Sequence, residues 1–284
     1  MNAGSPPLET RFAFGRNWSK FASGVNEQVV ETAVRSLRAM LGTDTLRDRT
    51  FIDVGCGSGL FSLAARRLGA QVVSFDYDPL SVSTTARLRE RAAPDDPAWR
   101  IEQGSVLDAE YLGRLGKFDV VYSWGVLHHT GAMWDAVRNV TQLIAPNGQL
   151  FIAIYNDQGR YSRYWTSIKR LYNKLPSYLR FLVLVPCFVR LRGPMLVRDL
   201  FSGHPLRSWR NYGVERGMSP WYDVVDWVGG YPFEVAKPEE IFDFYRVRGF
   251  ELQRLKTCGG GRGCNEYVFA APADPAQATA SARS

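Results

Sequence analysis

Nine residues, Phe51-Ile52-Asp53-Val54-Gly55-Cys56-Gly57-Ser58-Gly59, constrain this chain more than any others. Phe51 to Val54 reads as a buried strand carrying one acidic residue near its end, and a helix is expected from Leu60. The glycines that alternate between them permit backbone dihedrals and a close approach that side chains forbid. A ligand can therefore lie against the main chain where a first strand ends. Phosphate-cradling loops are spaced GxGxxG or GxxxxGK[ST]. This turn is GxGxG and carries no lysine, which points away from a pyrophosphate.

Similar punctuation continues along the chain. Gln71 to Phe75 reads as a second buried strand ending at Asp76, 17 residues after Gly59. There a doubly wound sheet offers a carboxylate to ribose hydroxyls. Asp78 before Pro79 reads as a helix cap. Further strands are expected over Trp99–Gln103, Phe118–Ser123 and Gln149–Tyr155, the last entered through a Pro146-Asn147-Gly148 turn. Strands separated by helix-length segments predict a parallel sheet with helices on both faces. A helix is expected over 26–41 and another from Lys237 to Arg248, stopped by Gly249. Phe250–Thr257 and Asn265–Ala271 then read as a strand pair joined by the glycine-rich Cys258–Cys264 loop.

In this order the motifs resemble the class I S-adenosylmethionine-dependent methyltransferases of small-molecule type, over residues 10–156 and 237–271. The resemblance implies an α/β, doubly wound, Rossmann-like sheet of seven strands, with a helical, aromatic-rich lid inserted after the fifth. It implies S-adenosyl-L-methionine as cofactor, contacted by Asp53, Gly55, Gly57, Gly59 and Asp76, by Ser105 and Val106 beside the adenine, and by Ser123. Ser105 stands where many relatives carry Asp. In such enzymes an N-terminal segment closes over the cofactor, which brings in Asn17 and Trp18; a hydrophobic staple through Phe21 is the alternative. The implied division is an N-terminal cap at 1–45, a core at 46–156 and 237–271, an inserted substrate subdomain at 157–236, and a disordered Ala/Pro/Ser-rich tail at 272–284.

Methyl transfer asks mainly for placement of the acceptor, and a hydroxyl acceptor also wants a base. His128 and His129, two of three histidines, follow the fourth strand and are the candidate bases, or else one of them only fixes its loop. Tyr155 leaves the fifth strand on the same edge. No metal-ligand spacing occurs, and no metal is expected. The four cysteines are too scattered for a disulfide framework, so Cys258 and Cys264 are expected as free thiols. The first residues lack an apolar leader, and the expectation is a cytoplasmic protein.

The segment 157–236 is 80 residues long, far beyond an ordinary connection. Between Asp157 and Arg216 it holds 12 Lys and Arg against 3 acidic residues, so the net charge of +7 originates there. Such a patch attracts a phosphorylated or carboxylated substrate, an anionic membrane surface or nucleic acid, unless it is a solvated helical face. Tyr178–Leu191 is apolar between its arginines but too short, at 14 residues with a central proline, to span a bilayer. A buried lid helix is expected; an interfacial helix, a greasy pocket wall or a contact between protomers are the alternatives. Trp221, Tyr222, Trp227 and Tyr231, interleaved with Asp223 and Asp226, read as an acceptor pocket wall or a dimer contact. The resulting reading is methyl transfer to a small-molecule acceptor, anionic or aromatic, at oxygen rather than nitrogen or carbon. Peripheral membrane contact and a homodimer stay open. A tRNA or rRNA methyltransferase is disfavoured because no RNA-binding module is visible; a non-catalytic S-adenosylmethionine-binding protein is the other alternative.

Overall fold

The computed structural model describes residues 12, 14–204, 206–209 and 220–273. Two helices, α1 (Phe14–Ser23) and α2 (Glu27–Leu41), precede the sheet. Then β1 (Thr50–Val54), α3 (Leu60–Arg67), β2 (Gln71–Asp76), α4 (Pro79–Ala92) and β3 (Trp99–Gln103) alternate. They are followed by α5 (Ala109–Leu115), β4 (Phe118–Trp124), α6 (Met133–Asn139) and β5 (Ile144–Tyr155). The insertion supplies α7 (Arg160–Lys174), α8 (Phe181–Phe201) and α9 (Pro220–Gly229), and α10 (Pro238–Arg246), β6 (Glu251–Lys256) and β7 (Cys264–Ala270) close the fold.

The seven strands lie in the order β3-β2-β1-β4-β5-β7-β6. The first five are parallel, and β7 runs antiparallel to both β5 and β6. Strand order reverses between β1 and β4, and an open α/β sheet binds ligands beyond the carboxyl ends at that point. Alternate residues of the buried strands feed two cores. Phe51, Val72 and Val120 meet Leu37 and Leu63 on one face; Ile52, Val121 and Leu150 meet Val137 and Tyr245 on the other.

Local chemistry sets the helix starts. The Asn26 side chain accepts from the Val29 N–H at 3.0 Å and Asp78 accepts from the Leu80 N–H at 2.9 Å. Each such cap is worth about 1 kcal/mol. One boundary differs from expectation. The Pro146-Asn147-Gly148 turn lies inside β5, which pairs Ile144 with Phe118, slips, and resumes with Gln149 opposite Val120. Asn147, at φ 59°, makes the segment a bulge in a continuous strand rather than a break before it.

The insertion is helical and builds its own core, with Trp165, Tyr172, Leu184, Cys187, Val224 and Val228 packed together and Tyr155 of β5 against them. The expectation of a buried helix across Tyr178–Leu191 is not met. Only Leu184 and Cys187 of this stretch are buried, while Tyr178, Phe181 and Val189 are 72%, 56% and 61% exposed. α7 and α9 cover one side of a helix that is apolar on both. The disordered-tail expectation falls largely on 274–284, outside the described residues.

Candidate active site

A cavity of about 1190 Å³ opens beyond the carboxyl ends of β1, β2, β4 and β5. At one end lies the glycine turn. Gly55, Gly57 and Gly59 all have positive φ, at 81°, 55° and 79°. A Cβ on Gly57 would stand 3.2 Å from the Trp18 indole of α1, which lies across the turn. The Gly57 and Asp78 N–H groups donate to the two oxygens of Asp76, at 3.0 and 2.9 Å. Burial nevertheless outweighs these bonds and raises the Asp76 carboxyl to about 6.

Asp53 sits deeper, at the end of a buried relay. Trp99 Nε1 donates to Ser74 Oγ at 2.8 Å, Ser74 to Ser62 Oγ at 2.7 Å, and Ser62 to Asp53. Burial again dominates and raises Asp53 to about 7. Ser105 and Val106 line the same end; Ser105 Oγ accepts the Leu107 N–H at 3.2 Å. Tyr122, which no sequence signal singled out, also borders the cavity, and its buried hydroxyl has no partner among the described residues.

The other end is built by β4's exit, the end of β5, α1 and the insertion. His129, Tyr155, Trp227 and Tyr231 line it together with Phe14, Asp223, Asp226 and Arg192. His129 Nδ1 donates to the Pro232 carbonyl at 2.5 Å, so in the neutral ring Nε2 is the acceptor nitrogen. Burial depresses this histidine to about 3. Trp227 meets the Tyr155 and Phe233 rings at 5.5 and 5.8 Å, and the buried Lys169 ammonium lies 4.3 Å from its ring centre. Asn17 donates to Asp226 Oδ1, tying α1 to α9, and burial raises the Asp226 carboxyl to about 6. Asp223 pairs with Arg192 of α8. Arg262 and Gly263 show that the glycine-rich loop borders the cavity, because β7 starts opposite Tyr155 at the carboxyl end of β5.

Several sequence candidates lie elsewhere. His128 is fully buried behind the wall: its Nδ1 accepts the Tyr155 N–H at 3.3 Å and its ring packs on Tyr155 at 4.0 Å. Burial holds it well below the ordinary histidine range. Ser123 donates to the Val54 carbonyl at 3.0 Å and ties β4 to β1 away from the cavity. Gly59 admits α4, since a Cβ there would approach Thr85 to 2.8 Å. Asn17 acts through Asp226 rather than on the wall. Trp221 packs on Phe188 at 5.4 Å, outside the lining, and the Tyr222 side chain lies outside the described residues. Among the described residues no cluster of His, Cys, Asp and Glu is arranged to hold a metal.

The glycine turn at β1, the carboxylate at the end of β2 and the 3-2-1-4-5-7-6 sheet are arranged as in the class I, S-adenosylmethionine-dependent methyltransferases that the sequence resembles. Residues 52–150 match the family described as "Methyltransferase domain". Among curated proteins, the ubiquinone biosynthesis O-methyltransferase of Xanthomonas campestris pv. campestris (strain B100) is 36% identical over 105 residues, which are 37% of this chain and 42% of that protein. The match thus spans about two-fifths of the relative's length. Two solved structures share the fold. A methyltransferase from Anabaena variabilis is 12% identical with a TM-score of 0.52, covering 94% of this chain and 97% of its own. The magnesium protoporphyrin IX methyltransferase of Synechocystis PCC 6803, solved with S-adenosylhomocysteine bound, is 15% identical with a TM-score of 0.50, covering 90% and 86%.

Proposed function

We propose that this chain transfers a methyl group from S-adenosylmethionine to an oxygen of a small, largely planar acceptor. The observation that carries the reading is one cavity joining the glycine turn and Asp76 at one end to a polar, aromatic-walled chamber at the other. The cofactor supplies a methyl already activated on sulfur. The residues present fit it: the glycine turn and the Trp18 indole across it border the cavity, Asp76 offers acceptor oxygens for ribose hydroxyls, and Ser105 and Val106 border the remaining nucleoside space. Support for oxygen comes from the O-methyltransferase relatives and from acceptor groups in the chamber. The family match ends at residue 150, before the insertion begins, so the acceptor is selected by parts this chain does not share with that match.

In our reading the proton step falls to a carboxylate. A base works best with an affinity for protons near the ambient pH. His129, held near 3, is neutral and costly to protonate, so it lines the chamber without taking the acceptor's proton. Asp226, held near 6 with only Oδ1 engaged by Asn17 among the described residues, takes the proton as the oxygen–methyl bond forms. The ring walls of Phe14, Tyr155, Trp227 and Tyr231 suit a flat acceptor, with Arg262 for a negative substituent. The test is transfer of labelled methyl into a small-molecule extract. Asp226→Asn should lower kcat by about 100-fold or more, with S-adenosylhomocysteine affinity unchanged. His129→Gln should be milder. Unchanged turnover in Asp226→Asn removes the carboxylate from this role, and transfer into RNA instead of small molecules overturns the reading.

A further inference from the structure

The outward side of α8 is the largest structural feature that the proposed reaction leaves unused. Phe181, Leu182, Val185 and Val189 share one side of the helix with Tyr178 of the preceding turn, and each of the five is 48% exposed or more. Val197, Leu200 and Phe201 extend the exposed apolar surface toward the helix end, at 52%, 66% and 86%. An exposed apolar run of this extent marks an interaction surface.

The surrounding charge selects the partner. Lys174 at the end of α7 and Arg190 of α8, which lies 5.9 Å from the Tyr161 ring centre, are exposed. Arg180 is half-buried at the start of the stripe, where it donates to the Leu175 carbonyl at 3.1 Å, and Arg198 is exposed toward the other side of the helix, donating to Ser208 Oγ at 3.4 Å. None of the four makes an ion pair among the described residues. The one acidic residue of α8, Asp199, is buried and accepts from the Ser208 N–H and hydroxyl at 2.7 and 2.6 Å. The face is thus apolar in the middle, positive at its margins and without an exposed carboxylate on the helix. A second copy of the chain would bring cations against cations. An anionic lipid surface offers hydrocarbon for the stripe and phosphates for the margins.

We infer that α8 is a membrane-docking helix that lies in the plane of an anionic phospholipid surface. No described helix is long and apolar enough to cross a membrane, and the inner side of α8 is engaged through Leu184 and Cys187 in the insertion core. Arg192 of the same helix lines the acceptor end of the cavity, so docking sets that end one helix thickness from the bilayer.

The experiment is flotation of the full chain with phosphatidylcholine vesicles, alone or with about 30% phosphatidylglycerol, which reads docking and no methyl transfer. The wild type should float with the anionic vesicles and be released when salt rises from about 0.05 to about 0.5 M. Leu182→Asp with Val189→Asp should weaken flotation by about tenfold or more. Both side chains are exposed, so the thermal midpoint should hold; Phe181→Ser with Val185→Ser is the second variant if it does not. Wild type that stays unbound with anionic vesicles overturns the inference, as does equal flotation of folded variants. A wild-type dimer in sedimentation equilibrium that the same substitutions dissociate would make this a self-contact instead.

Discussion

Asp76→Asn should make the ligand-free protein more stable at neutral pH while crippling cofactor binding. Burial raises this carboxyl from 3.8 to about 6 although two backbone N–H groups donate to it. Ionising it in the fold therefore costs up to about 3 kcal/mol more than in the unfolded chain, and about 2 after allowing for water in the cavity it lines. The sign follows from linkage. A carboxyl held above its unfolded value binds protons preferentially in the fold, so its contribution to stability falls as pH rises from about 4 to about 6 and stays low above that. Asparagine cannot ionise. It keeps one acceptor oxygen and gives up one of the two backbone bonds, at about 1 kcal/mol. The variant should be about 1 kcal/mol more stable than wild type at pH 8, and equal or weaker at pH 4. Affinity for S-adenosylhomocysteine should meanwhile drop by about 2–4 kcal/mol, since an ionised acceptor for two hydroxyls is lost. In the wild type the same affinity should weaken as pH falls below about 6. Urea unfolding at both pH values and calorimetry read the two effects. A variant less stable than wild type by the same amount at every pH, or one that binds normally, would refute the reasoning.

Two further substitutions separate the ends of the cavity. Gly57→Val places a β-branched residue at φ 55° with the Trp18 ring 3.2 Å from its Cβ. Binding of S-adenosylhomocysteine should fall by about 100-fold or more, and a folded variant with normal calorimetric affinity would put the cofactor elsewhere. Trp227→Ala removes a ring packed on Tyr155, Phe233 and Lys169, at a stability cost of about 3 kcal/mol. It should raise the acceptor's KM and leave S-adenosylhomocysteine affinity unchanged. Lost cofactor affinity with an unchanged KM would reverse the proposed division of labour.

Much of this architecture was legible in the chain because it rests on local rules. Apolar runs of strand length, the GxGxG turn and the Asp78-Pro79 cap state their roles within a few residues, and β3 spans Trp99–Gln103 as its pattern predicts. The Pro146-Asn147-Gly148 signal was local too, yet pairing with β4 absorbed it into a bulge. Tertiary contacts decided the rest. His128 and His129 are adjacent in sequence, but one packs behind Tyr155 while the other faces the cavity. Asp226 acquires a raised proton affinity only because α1 and α9 bury it beside Asn17. The glycine-rich loop reaches the site because β7 runs back along β5. Whether an apolar helix is buried depends on how many neighbours the fold sets around it, and among the described residues α8 has them on one side only. Periodicity states which residues can share a face; the partner of that face is fixed by residues distant in sequence.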